Sequence, residues 1–363
     1  MHHPFDRRSS DTFSSSTFIL IFFAGTQQKQ KVKPIVMAIR TVVLSGGGSA
    51  AVVIHLSVLK YLEEVRRLCT RRIRRYHGTS AGAVVAFLLA CGKSPADVLR
   101  TFEEEPDIFR RLLDCHVDNI VRATTAGQTS GCYGLSDGRL LRGFLNEWCF
   151  KETGLRNPTF REFFDATRVS LRFVATDVCE AEGVCFSEET TPDVRVLDGV
   201  LASSALPILF APLRIVVDGT PRLFVDGGIA ENFPVGDTPG VGFSDPQSTV
   251  GIRLSEAPPA SADAVASNVA TYAWKVVLAA IMVNQRDKSR STFPVCSVPH
   301  GASANYALTT EAVSHIIATA NLAARDVAMQ LPEMTDEDDE DGNGRQERLD
   351  KGVQTDEQMS ATY

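Results

Sequence analysis

Between residues 41 and 90 the chain twice repeats one order of patterns: a short apolar strand, a glycine-containing turn and a helix. Thr41 to Leu44 predicts the first strand, and Val52 to Leu68 carries apolar residues at the spacing of a helix. A second strand ending at His77 precedes the apolar stretch Ala83 to Ala90, which predicts a buried helix. Strands alternating with helices predict an α/β fold, with a mainly parallel sheet covered by helices on both faces.

The alternation continues to about residue 330. It predicts strands over 169–178, 213–217, 223–225 and 250–254, and helices from Pro95 and over 137–149, 193–204, 264–283 and 311–329. A length of 363 residues would allow two domains of ordinary size. The continuous alternation favours a single α/β domain over 37–332.

The two ends differ from this body. Residues 1–36 are rich in Ser, Thr, Gln and Lys, and their apolar stretch, Phe18 to Ala24, is too short to span a membrane. We expect a disordered extension there, with a targeting segment for secretion, or a start at Met37, as alternatives. Residues 333–363 hold eleven acidic and three basic residues, which is typical of a disordered acidic tail.

The charge and cysteine content exclude several classes of protein. The formal net charge of −7 lies mostly in the tail, which leaves a near-neutral body and argues against a nucleic-acid partner. The eight cysteines show no Cys-x-x-Cys pair, and the histidines show no ligand spacing. We therefore expect no metal site, and buried free thiols in a reducing, cytoplasmic setting.

The stretch Gly78-Thr79-Ser80-Ala81-Gly82 has the form Gly-x-Ser-x-Gly. Between a strand and a helix, this spacing is typical of a nucleophile elbow, where Gly78 and Gly82 leave room for a sharp turn that exposes Ser80. An ordinary tight turn is the alternative for this pattern alone.

A second turn, formed by Gly46, Gly47 and Gly48, follows the first predicted strand. Its backbone N–H groups could face an anion. The dinucleotide-binding fingerprint fails because Ala51 occupies the third glycine position, and there is no Walker lysine. Donors for an oxyanion are the favoured interpretation, and a flexible connection is the alternative.

A carboxylate follows the predicted strand 223–225, in the sequence Asp226-Gly227-Gly228. An aspartate with an ordinary pKa of about 3.9 is a poor base unless it is desolvated or bonded directly to the hydroxyl it activates. Asp-Gly-Gly is also a common turn, so the motif alone does not identify a base.

Together, in this order, the three motifs resemble the patatin-like phospholipase family from about Ile39 to Leu254. Three further segments match the family's pattern: Ala202-Ser203-Ser204-Ala205-Leu206-Pro207, Phe210-Ala211-Pro212 and Asn232-Phe233-Pro234. The resemblance implies a three-layer α/β sandwich and a lipid acyl hydrolase of the phospholipase A type.

The resemblance also implies the role of each motif. Ser80 would be the nucleophile of a Ser–Asp dyad with Asp226 as its base, working through an acyl-enzyme without a metal or organic cofactor. The supporting glycines would be Gly46, Gly47 and Gly48 in the oxyanion hole and Gly78, Gly82, Gly227 and Gly228 in the turns. The substrate would be a phospholipid or neutral lipid, at a peripheral membrane or lipid-droplet surface. No protein partner is implied.

Two alternatives to this hypothesis stay open. The family usually has a basic residue and a glycine where this chain has Ala50 and Ala51, so a non-catalytic lipid-binding protein on a degraded hydrolase scaffold is the main alternative. A Ser-His-Asp hydrolase would need His300 or His315 after the acid.

An arginine cluster precedes the elbow. Its members are Arg66, Arg67, Arg71, Arg72, Arg74 and Arg75. We expect either a solvated helix end or a contact with anionic lipid beside the mouth of the active site.

Overall fold

The computed structural model describes residues 38–105, 107–113, 134–242, 245–255, 276, 277, 279, 281, 291–299 and 308–334. The extension 1–36, most of the predicted helix 264–283 and nearly all of the acidic tail lie outside these residues. The division of the chain into these three segments therefore stays a prediction.

Within the described residues the secondary structure follows the predicted alternation. The strands are β1 (Thr41–Leu44), β2 (Arg75–Thr79), β3 (Gly134–Ser136), β4 (Ser170–Asp177), β5 (Glu182–Phe186), β6 (Ile208–Phe210), β7 (Leu213–Val217), β8 (Thr220–Asp226), β9 (Thr249–Ser255) and β10 (Val295–Pro299). The helices are α1 (Gly48–Glu64), α2 (Ala81–Ala90), α3 (Pro95–Glu104), α4 (Ile108–Leu113), α5 (Arg139–Thr153), α6 (Phe160–Thr167), α7 (Val196–Ser203), α8 (Gly228–Glu231) and α9 (Thr310–Ala328).

Eight of these strands form one sheet in the order β10-β9-β1-β2-β4-β8-β7, with β5 also paired to β4. The pairs from β10 to β4 are parallel. The strands β5 and β8 are antiparallel to β4, and β7 is antiparallel to β8. The predicted α/β class with a mainly parallel central sheet is confirmed.

Alternate residues of the strands face two different cores, as the two-residue period of a strand requires. Val42 and Leu44 belong to the large core shared with α1, α2 and α9. Val43, between them, packs with Phe233 and Phe293 on the other face. Phe233 lies just after α8, so this segment covers part of the second face.

The arginine cluster lies near the amino-terminal end of β2, whereas the elbow follows the carboxyl-terminal end of the same strand. Arg75 begins β2 and Ser80 follows its last residue, so about 16 Å of strand separates them at 3.3 Å per residue. Arg67 donates to the carbonyl of Leu331 and pairs with Glu333. The expectation of a cluster beside the active-site mouth is wrong, because closeness in sequence across a strand places residues at its two ends.

The thiols are mostly buried. Of the described cysteines, Cys91, Cys149, Cys185 and Cys296 are buried, Cys69 is half-buried and Cys179 is exposed. The expectation of buried thiols is therefore wrong for Cys179, and Cys115 and Cys132 lie outside the described residues. No helix in the described part of the chain is both long and apolar enough to cross a membrane.

Candidate active site

Two strand ends meet where the predicted nucleophile and acid lie. Thr79, the last residue of β2, pairs with Val174 of β4, and Asp226, the last residue of β8, pairs with Ala175. Because β2 runs parallel and β8 antiparallel to β4, their carboxyl ends arrive from opposite directions at neighbouring residues. This topology brings Ser80 to Asp226 across 146 residues of sequence.

The turn at Ser80 is strained, as the elbow motif predicts. Ser80 has φ 56° and ψ −123°, and α2 begins at the next residue. A Cβ atom at Gly78 would lie 2.6 Å from the backbone nitrogen of Ala83, and one at Gly82 would lie 2.3 Å from the carbonyl oxygen of Leu44. Both glycines are therefore required by close backbone packing around the turn.

The Ser80 hydroxyl donates a 2.6 Å hydrogen bond to Oδ2 of Asp226. The other carboxylate oxygen, Oδ1, accepts from the backbone N–H of Gly228 at 2.7 Å. Burial raises the pKa of Asp226 to about 6, and the bonds from Ser80 and Gly228 offset part of that rise. Asp226 is thus a stronger base than an ordinary aspartate while still mostly ionised at neutral pH.

Close packing also explains the two glycines after Asp226. A Cβ atom at Gly227 would lie 2.0 Å from the carbonyl oxygen of Val174, and one at Gly228 would lie 3.0 Å from Oδ1 of Asp226. A side chain at either position would push the carboxylate away from the sheet.

The glycine loop leads directly into α1, with Gly48 as the first helical residue. Gly46 does not supply an oxyanion donor, because its N–H donates to the carbonyl of Asn232 at 3.0 Å. The N–H groups of Gly47 and Gly48 have no hydrogen-bond partner among the described residues. The structure therefore leaves two of the three predicted donors available.

The first peptide of this loop is held on both sides. While Gly46 N–H bonds Asn232, the carbonyl of Ser45 lies 2.8 Å from Nε2 of the buried His55. Burial lowers the pKa of His55 to about 4, despite an opposing effect of this bond. The neutral ring must carry its proton on Nε2, because a carbonyl oxygen can only accept.

An apolar cavity opens beside Ser80. Its lining residues come from five helices and the segment after α7: Gly48, Ser49, Val52, Ser80, Ala81, Val84, Phe102, Phe109, Leu112, Leu141, Phe144, Ser204, Leu206 and Phe210. None of them is charged. Its uncharged, mostly apolar lining has the character of a site for an apolar ligand.

Several of these residues were not predicted as functional. Val84 comes from the predicted buried helix, and Leu206 and Phe210 come from the segments that match the family's pattern. Phe102 and Phe144 come from the apolar faces of α3 and α5, which the sequence indicates only as core.

The backbone N–H of Ala81 is a third candidate donor to an oxyanion, because the first N–H of a helix has no partner within the helix.

The histidine hypothesis receives no support from the described residues. His315 is exposed on α9, and no described histidine bonds Ser80 or Asp226. His300 lies outside the described part of the chain. Among the residues that the structure describes, no group of three or more His, Cys, Asp or Glu could hold a metal ion.

Ala50 and Ala51 lie inside α1 and are buried in the large core. A Cβ atom at Gly47 would approach that of Ala51 within 3.0 Å. These alanines support the packing of the loop and remove none of its backbone donors.

The chain is similar to several known proteins. Residues 42–238 match the family profile described as "Patatin-like phospholipase". The chain is similar to "Probable lipid hydrolase 463L" of Invertebrate iridescent virus 6, at 27% identity over 54% of this chain and 62% of that protein. It is also similar to "Uncharacterized protein YqhO" of Bacillus subtilis (strain 168), at 27% identity over 45% of this chain and 56% of that protein.

The chain thus spans about 60% of the length of these two relatives. Among solved structures, it is similar to VipD from Legionella pneumophila, with a TM-score of 0.49, 16% identity, and coverage of 81% of this chain and 67% of that one. Because the family profile matches more than half of its residues, the chain belongs to the patatin-like phospholipase family.

Proposed function

We propose that the protein is a serine lipid acyl hydrolase that cleaves fatty-acyl esters through Ser80 and Asp226. The observation that carries this proposal is the 2.6 Å bond between the hydroxyl and the buried carboxylate, at a strained turn that opens into an apolar cavity. A nucleophile paired with a base of raised pKa is the arrangement that acyl transfer requires.

In the acylation step, Ser80 Oγ attacks the ester carbonyl carbon while its proton passes to Oδ2 of Asp226. The N–H groups of Gly47 and Gly48 stabilise the oxyanion, assisted by Ala81 N–H at the start of α2. The tetrahedral intermediate then breaks its bond to the alcohol oxygen. Asp226 returns the proton to that oxygen, and the acyl group stays on Ser80.

In the deacylation step, Asp226 removes a proton from water, which attacks the acyl-enzyme carbonyl. Collapse of the second tetrahedral intermediate releases the fatty acid and restores the Ser80 hydroxyl with the proton held by Asp226. The two steps use the same base and the same donors, so no metal or organic cofactor takes part in this mechanism.

The cavity supports a fatty-acyl chain as the group that is transferred. Its lining is mostly apolar and includes both Ser80 and Gly48. Since long-chain esters are presented in micelles, membranes or lipid droplets, we propose that the enzyme acts at such a surface. Phospholipids and neutral lipids are both substrates of the proposed class.

Release of free fatty acid tests the proposal, with phosphatidylcholine micelles and a triacylglycerol emulsion as substrates. We expect Ser80→Ala and Asp226→Asn to lower the rate by about 10³-fold or more, because each removes a reacting group. Matched controls are Ser314→Ala on the exposed side of α9 and Asp193→Asn, whose side chain is 92% exposed. Both controls should retain full activity.

A rate for Ser80→Ala within tenfold of the wild type would overturn the proposal. Binding of both lipids without hydrolysis by the wild type would instead support the non-catalytic lipid-binding alternative. No observation at the site favours that alternative, because its hydroxyl and carboxylate are both present and in contact.

A further inference from the structure

The strained backbone of Ser80 needs partners that hold it. A residue with a side chain is unfavourable at φ 56° and ψ −123°, and such a conformation persists only where surrounding contacts fix it. Two serines that follow each other at the end of α7 supply such contacts from a distant part of the sequence.

Ser203 is fully buried, and its hydroxyl makes two bonds. It accepts from the backbone N–H of Ser80 at 2.9 Å and donates to the carbonyl of Val174 at 2.6 Å. A hydroxyl has one proton to donate, so the bond to Val174 orients the oxygen lone pairs towards Ser80. Ser203 thereby connects the nucleophile's backbone to β4, the strand along which β2 and β8 meet.

Ser204 holds the other side of the same residue. Its hydroxyl donates to the backbone carbonyl of Ser80 at 3.1 Å. The N–H and the C=O of Ser80 are thus both bonded to adjacent serine hydroxyls, which restrains rotation of the elbow about its own backbone.

The same segment also holds the acid. The carbonyl of Ser203 accepts from Gly227 N–H at 3.1 Å, and the carbonyl of Ala205 accepts from Asp226 N–H at 2.9 Å. Three consecutive residues therefore bond the backbones of both Ser80 and Asp226, whose side chains meet at 2.6 Å.

We propose that the segment Ser203–Ala205 sets the distance between the Ser80 hydroxyl and the Asp226 carboxylate. In this proposal Ser203 and Ser204 are positioning residues that act through their hydroxyls during acylation. This inference rests on the proposed function of the site. Ser203 acts through Ser80 and does not contact the substrate in this proposal. Misplacement of a reacting group by about 1 Å can lower a rate by about 10²-fold.

The test is the rate of labelling by a fluorophosphonate, which acylation-competent serines attack. We expect Ser203→Ala to label about 10²-fold more slowly than the wild type and Ser204→Ala about tenfold more slowly, each per folded molecule. Ser204→Thr keeps the hydroxyl and should restore most of the rate. Ser57→Ala is the matched control, because Ser57 is also buried and its hydroxyl donates to the carbonyl of Val53 in its own helix.

A pH profile separates positioning from a purely structural role. The bond from Ser80 lowers the pKa of Asp226, so a loosened pair should move the acid limb of the labelling rate to higher pH in Ser203→Ala. A structural role would lower the amount of folded protein and leave both the rate per folded molecule and the acid limb unchanged.

Each outcome decides one claim. Rates within twofold of the wild type for both alanine variants would overturn the positioning role while leaving the proposed function intact. If Ser203→Ala does not fold, Ser204→Ala and its threonine counterpart decide alone. A wild type that does not label would overturn the proposed function itself.

Discussion

At the scale of single residues, the site depends on one buried carboxylate. Asp226 is fully desolvated, and its pKa lies at about 6 instead of 3.8. The same environment has opposite effects on reactivity and stability: it makes the carboxylate a better base, and it makes the ionised form costly to bury.

The first prediction concerns the pH dependence of hydrolysis. The base acts in its ionised form, so kcat/KM should fall as pH decreases through about 6 and should level off above it. Measurement of kcat/KM from pH 4.5 to 8.5 with a soluble short-chain ester checks this. An acid limb below pH 4.5 would contradict the account.

The second prediction concerns stability. Because the folded pKa of Asp226 lies above the unfolded value, the folded state holds the proton more tightly. The associated stability is present below about pH 4 and is lost as pH rises through about 6. The full loss is about 3 kcal/mol, from 1.36 kcal/mol per pKa unit.

Asp226→Asn removes this titration. Urea unfolding at pH 4.5 and pH 8 should therefore show a difference in unfolding free energy between variant and wild type that shifts in the variant's favour by about 2 kcal/mol at the higher pH, because pH 4.5 already lies above the unfolded pKa. An unchanged difference would mean that Asp226 is not desolvated.

The sequence predicted Ser80 and Asp226 because the three glycine-containing motifs occur together in the family's order, although neither turn alone identified a catalytic residue. It could not predict that the Gly46 amide is committed to Asn232, or that Ser203 and Ser204 hold Ser80. Those contacts join residues more than 120 positions apart, and only the packing of α7 and β8 against β4 brings them together.

At the scale of elements, the turn between β2 and α2 requires space that only glycine leaves. Gly82 lies in the first turn of α2, where a Cβ atom would meet the backbone of β1. Gly143 lies in the middle of α5, where a Cβ atom would meet nothing within 4 Å.

These two helical glycines give a matched pair. Gly82→Ala should destabilise the protein by roughly 3 kcal/mol and slow acylation, because the strand or the elbow must shift. Gly143→Ala should stabilise it by about 0.5–1 kcal/mol, the ordinary gain of alanine in a helix. Thermal unfolding measures both, and equal effects of the two substitutions would contradict the packing around the elbow.

The sequence predicted most elements but not their directions or all of their limits. The first helix was predicted over 52–68 and forms over Gly48–Glu64, so it begins at the last glycine of the loop and ends before Val65. The two short strands after residue 212 were predicted separately. They form an antiparallel hairpin around Asp218 and Gly219, both with positive φ, and this hairpin orients β8 so that Asp226 faces Ser80.

At the scale of the whole molecule, the described core extends to the end of α9. The helix α9 packs on α1 and β10 through Val313, Ile316, Ala320, Ala324 and Val327. Beyond it, Arg67 bonds Leu331 and Glu333. The site residues lie between positions 46 and 228, far from the acidic tail in sequence.

Truncation tests this division. A chain ending at Met334 should fold and label with a fluorophosphonate at the wild-type rate, since the described site residues lie between positions 46 and 228. A chain ending at Thr309 loses α9 and exposes apolar surface on α1. We expect that chain not to fold, because burial of each large aliphatic side chain contributes about 1.5–3 kcal/mol. Slow labelling by the longer chain would assign the tail a role in catalysis.

The distribution of charge shows what composition could and could not predict at this scale. The near-neutral body is a property of the sequence alone, whereas the position of the arginine cluster depends on the direction of β2. Closeness in sequence predicted the cluster beside Ser80. In the structure the length of β2 separates them, because the cluster lies at one end of this strand and Ser80 at the other.

The central claim is that Ser80 is a nucleophile activated by Asp226. Its most direct test is to treat the full chain with a fluorophosphonate at pH 8 and to identify the modified peptide by mass spectrometry. We predict a single adduct on Ser80 that is absent in Ser80→Ala and strongly reduced in Asp226→Asn. An adduct on another serine, or none on the folded wild-type protein, would contradict the account.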